Sequence, residues 1–358
     1  MLLACIQDSK WIGRALCFLL LWGFGMKAFG QRASFTHNSL QMGSAFIFKA
    51  IHPDQELCKQ ATFAAEQEVR RVEELISSWK TTSQTSDINQ HAGIKAVKVD
   101  LELFSLIKRA IKISQLTDGA FDLTFASADR IWRFDGSMTH LPDSQTVRAS
   151  VANIDFQAIQ LNDSDTSVFL PLKGMKIGFG GIGKGYAANR AKSVMQAMGI
   201  KNGLVNAGGD LICWGKEEQG GDWHIGIADP LNKKAMLAWL VINDLAVVTS
   251  GDYERYTLIE DQKYAHIINP HTGYPVQGVS SVSIFCPDTE LADGLATAIF
   301  VLGPIKGIGL LDQLIGIEGL VVDQEGKLFS SKGLNLHYYQ ESSPANKPIK
   351  KIGRSHEK

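Results

Sequence analysis

Lys176-Ile177-Gly178-Phe179-Gly180-Gly181-Ile182-Gly183-Lys184-Gly185-Tyr186 runs directly into a helical pattern over Ala187–Met198. Five glycines in eight residues leave backbone N–H groups bare beside a helix N-terminus, where the macrodipole favours an anion such as phosphate. Gly178, Gly180 and Gly183 spell G-x-G-x-x-G, and Gly178, Gly183 and Lys184 spell a P-loop up to its last position. That last position is Gly185, so the hydroxyl that would hold Mg²⁺ in a P-loop is missing. The dinucleotide pattern needs a clean strand before the glycines and an acidic residue ending the next strand. Only Met175-Lys176-Ile177 precedes, and the next strand, Leu204-Val205-Asn206, runs into the turn Ala207-Gly208-Gly209-Asp210. The stretch reads either as a phosphate loop of neither standard kind, or as a glycine turn forced by close helix–strand packing.

Working outward, the rest of the chain lacks the cadence of a doubly wound parallel sheet. A strand is expected at Ala45–Ala50, a long helix from Asp54 to Ser78, a polar loop over Lys80–Gly93 and a helix over Leu101–Leu116. His140–Leu172 reads as small strands and hairpins. The C-terminal half is strand-rich, with runs at Trp223–Ala228, Ala235–Ile242, Ala246–Thr249, Tyr264–Ile268 and Ser280–Phe285, then a helix over Leu291–Leu302 and a strand at Gly319–Val322. This mixture predicts an α+β fold with mixed or antiparallel sheets and packed helices, in one unit over residues 31–340.

The two ends differ from the body. Lys10 and Arg14 precede an apolar run over Ala15–Met26, followed by Ala28-Phe29-Gly30, and the run is shorter than the ~20 residues that cross a bilayer. Residues 1–30 therefore read as a signal peptide, which makes the mature protein exported. Residues 341–358 carry five basic residues and little apolar content, and read as a disordered tail that could touch an anionic membrane surface peripherally. The formal charge of −1 gives no basic excess to recruit nucleic acid. After export Cys58, Cys213 and Cys286 remain, widely spaced and without a zinc pattern, and read as three buried free thiols, with one disulfide as the alternative.

Residues able to do chemistry are scattered. Asp293 and Thr297 lie four apart on one helix face, which suits either an oxygen-ligand half-site for Mg²⁺ or helix capping. His266 stands in a strand before the turn His271–Pro275, Thr249–Tyr256 is a turn crowded with polar groups, and Ala120-Phe121-Asp122 follows a helix end.

Taken in order, these pieces resemble the ApbE family of FAD:protein FMN transferases. The likeness rests on Met42-Gly43-Ser44; Trp79 with Ser86-Asp87-Ile88-Asn89; Asp118–Asp122; Gly180–Ala187; Leu204–Asp210; Thr249–Tyr256; His266–Pro275; and Leu291–Thr297. The resemblance implies a single α+β unit with FAD in a cleft and Mg²⁺ at its pyrophosphate. It implies attack by a Thr or Ser hydroxyl of an acceptor protein on the FMN-side phosphorus, with AMP leaving. Metal ligands would be Asp293, Thr297 and the Gly181 carbonyl. FAD contacts would come from Met42, Trp79, Ala120, Phe121, Asp122, Gly178, Lys184 and Ile268, with Trp79 stacking on the flavin. Gly178 stands where many family members carry Asp, so one carboxylate contact to the nucleotide is absent. His266 is the candidate general base, with Asp293 able to share that task. Export implies a periplasmic setting, or the periplasmic face of the inner membrane, and acceptors that are flavoprotein domains of membrane redox complexes. The chain carries no acceptor-like Asp-x-x-Thr-Gly-Ala-Thr segment of its own. An FAD pyrophosphatase yielding FMN and AMP, and a non-enzymatic FAD-binding or scavenging protein, are the alternatives.

Overall fold

The computed structural model describes residues 33–232 and 234–338. The expected signal segment and basic tail lie outside the described residues. Along the chain, β1 (Ala33–Gln41) and β2 (Ser44–His52) form a hairpin, followed by α1 (Gln55–Ile76), α2 (Gln84–Gln90), β3 (Val97–Lys98) and α3 (Leu101–Leu116). A 3₁₀ turn (Leu123–Ser127), α4 (Ser144–Ser150), β4 (Gln160–Asn162) and β5 (Ser167–Phe169) lead to α5 (Gly183–Ala197). Then come β6 (Asn202–Ala207), β7 (Asp210–Trp214), β8 (Trp223–Ala228), β9 (Met236–Ile242), β10 (Leu245–Gly251), β11 (Tyr256–Ile259), β12 (Gln262–Ala265) and β13 (Val279–Cys286). The last elements are α6 (Thr289–Leu311), β14 (Glu318–Asp323), β15 (Leu328–Ser330) and β16 (His337–Tyr338).

The frame is an eight-stranded sheet in the order β1-β2-β6-β7-β10-β13-β14-β15. Every ladder in it is antiparallel, which establishes the α+β class. Helices α1, α5 and α6 cover one face. The three-stranded sheet β16-β9-β8 packs its apolar side, Trp223, Leu240 and Ile242, against Ile51, Val247 and Phe285 on the other face. Central strand β13 is consequently buried at all eight positions, which is why Val279–Cys286 shows no polar alternation.

Local rules explain the helices. Asp54 caps α1 by accepting from Glu56 N (2.9 Å) and Leu57 N (3.1 Å), and Cys58, Ala61, Ala65, Val69 and Val72 form its buried stripe. Three expectations need correcting. The polar loop over Lys80–Gly93 contains α2, a two-turn helix started by the Ser83 hydroxyl (Ser86 N, 2.9 Å) and too short for a clear apolar period. The stretch from His140 contains α4, capped by Asp143, as well as the small strands. The last helix also runs past Leu302, through a kink at Gly303 (φ 77°) and Pro304, because Gly-Pro redirects the helix without ending its packing. Among the described residues, Cys58, Cys213 and Cys286 are buried and free, as expected.

An ionic network ties three helices together behind the glycine loop. Arg71 reaches Glu68 (2.8 and 2.9 Å) and Glu102 (2.7 Å), Arg190 reaches Glu68 (2.8 Å), and the Tyr186 hydroxyl donates to Glu102. Hydrogen bonds from Arg71 and Arg190 hold Glu68 below its ordinary pKa against partial burial. Burial likewise opposes ionisation of Glu102, but Arg71 and Tyr186 outweigh it and lower the pKa. A carboxylate with a depressed folded pKa contributes stability above its unfolded value, lost as pH falls through the folded one. The melting temperature should therefore drop as pH goes below about 4.3, the free glutamate value, and drop less steeply in Glu68→Gln. Identical pH profiles for the two proteins would rule the network out as the cause.

Candidate active site

Two hairpin turns meet at one end of the large sheet. Met42 (φ 51°) and Gly43 (φ 72°) join β1 to β2, and Gly208 (φ 66°) and Gly209 (φ 110°) join β6 to β7. Positive φ at both central residues suits such two-residue loops. Because Phe46 pairs with Ala207, the two turns are neighbours, and a side chain on Gly208 would strike Ser44 at 2.7 Å. Asp210 begins β7 directly behind the second turn and is 1% exposed.

The glycine loop comes in beside these turns, and its approach is not a strand. The Asn89 side-chain amide brackets Ile177, donating to its O (2.9 Å) and accepting from its N (2.8 Å). The Ser127 hydroxyl similarly brackets Lys176, and Gly178 N donates to Leu123 O (3.0 Å). Side chains thus replace the missing strand partner. The loop closes by Gly183 N donating to Phe179 O (2.6 Å) and opens α5 at Ile182, which provides no side-chain cap.

The cap comes from another helix. Asp293 Oδ2 accepts from Gly185 N (3.1 Å) across 108 residues of sequence, and Asp293 is 4% exposed. Thus the capping and functional readings of Asp293 are not exclusive: it caps α5 rather than its own helix, whose N-cap is Asp288. Thr297, one turn along α6, points its hydroxyl at Gly181: a β-carbon there would lie 3.1 Å from Thr297 Oγ1 and 3.2 Å from the Phe121 ring. The Thr297 hydroxyl has no hydrogen-bond partner among the described residues. Ala120 and Phe121 are buried after the turn Asp118 (φ 50°)–Gly119 (φ 75°) that ends α3. The Asp122 carboxylate accepts from Thr124 N (2.7 Å), Thr124 Oγ1 (2.6 Å) and Phe156 N (3.2 Å).

Charge converges on Lys184. Its ammonium is bound to Asp210 and lies within Coulombic reach of Asp293 and Glu254. Burial works against that charge, but Asp293 and Asp210 outweigh it and raise the Lys184 pKa, so the lysine stays protonated. Burial pushes Asp293 up, with Lys184 and the Gly185 N–H pulling the other way. Asp210 is pushed up by burial and next by the charge of Asp293, against Lys184. One lysine therefore serves a surplus of buried acid. Asp210 was outside the expected set: the dinucleotide pattern looks for an acid ending the strand after the loop, whereas this acid starts the strand after that.

His266 follows β12, with Nδ1 3.2 Å from Arg255 O. A carbonyl only accepts, so Nδ1 carries the proton and Nε2 keeps its lone pair. Burial, joined by the charges of Arg255 and Lys184, lowers its pKa and keeps the ring neutral near pH 7. Ile268 bridges to Pro275 in the same hairpin. Met42 flanks Gly183, with its Cε 3.4 Å from where a β-carbon would stand. Trp79, just past α1, is 72% exposed.

The absent carboxylate at Gly178 has a steric counterpart, since a β-carbon there would lie 2.8 Å from Ala126 Cβ. Introducing an acid by Gly178→Asp should destabilise the fold by about 1–3 kcal/mol, the usual range for overpacking. Adding Ala126→Gly should recover part of that. Equal melting temperatures for the single variant and the native chain would show that the loop yields freely.

Among the described residues, no group of three or more His, Cys, Asp or Glu side chains stands together as a metal site. A ligand set of one carboxylate, one hydroxyl and one carbonyl is of a different kind, all oxygen, and suits Mg²⁺.

The sequence pattern of the ApbE family matches residues 42–321. An FAD:protein FMN transferase of Klebsiella pneumoniae (strain 342) is 31% identical over 306 residues, 85% of this chain and 94% of that protein. One of Treponema pallidum (strain Nichols) is 31% identical over 281 residues, covering 74% and 78%. The crystal structure of the ApbE protein of Thermotoga maritima superimposes with a TM-score of 0.77 at 30% identity, covering 84% of this chain and 97% of that one. The flavinyl transferase ApbE of Pseudomonas stutzeri, apo form, gives 0.74 at 26%, covering 84% and 96%. Matched along most of its length in sequence and in fold, the chain belongs to the ApbE family.

Proposed function

We propose that this protein is an FAD:protein FMN transferase that uses Mg²⁺, moves FMN to a Thr or Ser hydroxyl of an acceptor protein and releases AMP. The observation that carries this reading is the convergence at the start of α5 of the Lys184 ammonium, the Asp293 carboxylate and the Thr297 hydroxyl. A pyrophosphate is the anion such a site suits, and in phosphoryl transfer positioning and charge neutralisation are most of the work.

The metal fits the residues present. Asp293, Thr297 and the Gly181 carbonyl would hold it, buried Asp210 adds a further acid at Lys184 beside them, and glycine at 181 keeps the space beside Thr297 clear. When bound, Mg²⁺ supplies positive charge to the phosphate oxygens as the bond to AMP breaks. Lys184 adds a second, permanent positive charge at the helix N-terminus. His266 Nε2 takes the proton of the acceptor hydroxyl as its oxygen bonds to the FMN phosphorus, and the P–O bond to AMP breaks with its electron pair leaving on AMP. Met42, Trp79 and Ile268 provide apolar and aromatic surface for the flavin, and buried Phe121 packs against Gly181 beneath it. The carboxylate of Asp122 is engaged by Thr124 in its own turn and by the Phe156 N–H, so its part, with Ala120, is to hold the backbone there. Gly178 contributes close backbone approach in place of a carboxylate.

The acceptors we propose are flavoprotein domains of membrane redox complexes, met by an exported enzyme on the periplasmic side; Edman sequencing of the protein recovered from that compartment should begin near residue 31. Incubation with FAD and Mg²⁺ tests the activity. AMP that accumulates only when acceptor is added supports transfer. AMP together with free FMN, at a rate indifferent to acceptor, would identify a pyrophosphatase, and no AMP at all a binding protein.

A further inference from the structure

A segment without regular secondary structure, Arg130–Phe134, touches three separate parts of the site with every second side chain. The Arg130 guanidinium lies 4.0 Å from the centre of the Trp79 ring. Trp132 is buried, donates Nε1–H to Gly273 O (2.8 Å) and stacks on Tyr264 at 6.1 Å, which anchors the segment to the hairpin that carries His266. Phe134 packs its ring against His266 edge-to-face at 6.5 Å. Trp79 and His266 are distant in sequence, and this strap is what they share.

We propose that Arg130 and Phe134 are positioning residues, Arg130 fixing the Trp79 indole as the flavin platform and Phe134 fixing the His266 ring. The inference rests on the transferase reading of Trp79 and His266. An indole that stays 72% exposed while a cation covers one face has its other face open, and stacking an isoalloxazine there encloses the ring between guanidinium and flavin. Without Arg130, a lone exposed indole is free to change rotamer and must be ordered when FAD binds. His266 has its Nδ1 side held by Arg255 O; Phe134 supplies contact to the ring itself, so that Nε2 keeps one direction. A small error in that direction is costly for proton transfer.

The two residues should separate in kinetics. Arg130→Ala should raise the FAD dissociation constant, read by flavin fluorescence, about two- to fivefold with kcat at saturating FAD unchanged, and Arg130→Lys should recover part of the loss. Phe134→Ala should lower kcat about tenfold with FAD affinity unchanged, and Phe134→Tyr should retain most of the rate. Circular dichroism and the melting temperature should stay native in all four, since Arg130 is exposed and Phe134 half-buried. If Trp79→Ala weakens FAD binding and His266→Ala slows transfer while Arg130→Ala and Phe134→Ala change neither quantity, the strap is no positioning device. If Trp79→Ala and His266→Ala are themselves without effect, the site reading beneath it falls and the inference with it.

Discussion

Asp293→Ala is expected to slow AMP release from FAD by at least about 10²–10³-fold, the loss that follows removal of one preorganised electrostatic group. Three consequences of this change coincide. The carboxylate assigned to the metal disappears, the Gly185 N–H loses its acceptor, and Lys184 loses one of the acids that hold its charge, keeping its bond to Asp210. Asp293→Asn separates them, because an amide oxygen can still accept from Gly185 N while carrying no charge. The asparagine variant should keep the native melting temperature to within a degree or so, yet remain nearly as slow as the alanine variant. A fast asparagine variant would mean that Asp293 serves α5 only as a cap.

Gly185→Ala is expected to cost about 2–3 kcal/mol of stability and most of the activity, toward the upper end of overpacking penalties. A β-carbon there would lie 2.3 Å from the carbonyl oxygen of Thr289, 2.7 Å from its carbon and 2.9 Å from Asp293 Cβ. Backbone of α6 cannot rotate away as a flexible side chain would, so the two helices must part at the site itself. Gly180→Ala is the control: apart from its own chain neighbours no atom stands within 4 Å of its β-carbon, and it should leave the denaturant midpoint almost unmoved. Equal midpoints for the two alanine variants would contradict the packing argument. The same contact explains why the P-loop hydroxyl is absent from this position. Thr289 and Asp293 already fill the space that a Ser or Thr side chain would take.

Much of the site was legible because its chemistry is local in type even where it is distant in space. A glycine run before a helix marks the turn that opens α5, although the N–H groups of Gly178, Gly183 and Gly185, expected bare, are bonded within the fold, and Asp293 with Thr297 announces an oxygen pair on one helix face. The partnership of those two features, 108 residues apart, came only through family resemblance, since no propensity or period encodes a contact between α5 and α6. Asp210 and Asn89 were hidden for a related reason. Each acts by a side-chain contact to the glycine loop, Asp210 through Lys184 and Asn89 through Ile177, and a turn Asp or loop Asn looks alike with or without such a contact. Arg130–Phe134 carries neither a strand nor a helix pattern, so its three contacts are a product of the fold alone. The α+β class was readable because buried β13 and the hairpin turns lie among helices without a βαβ rhythm. Helix α2 was not, being two turns long with its cap inside a polar run.

The central claim is that FMN, once cut from FAD here, goes to a protein hydroxyl. Intact-mass spectrometry tests it, on an acceptor domain bearing the Asp-x-x-Thr-Gly-Ala-Thr segment after incubation with this protein, FAD and Mg²⁺. The account predicts that the acceptor gains the mass of one FMN less water, that the gain maps to a threonine of that segment, and that replacing this threonine by valine abolishes it. An unmodified acceptor in a mixture where FAD has been converted to free FMN and AMP would contradict it.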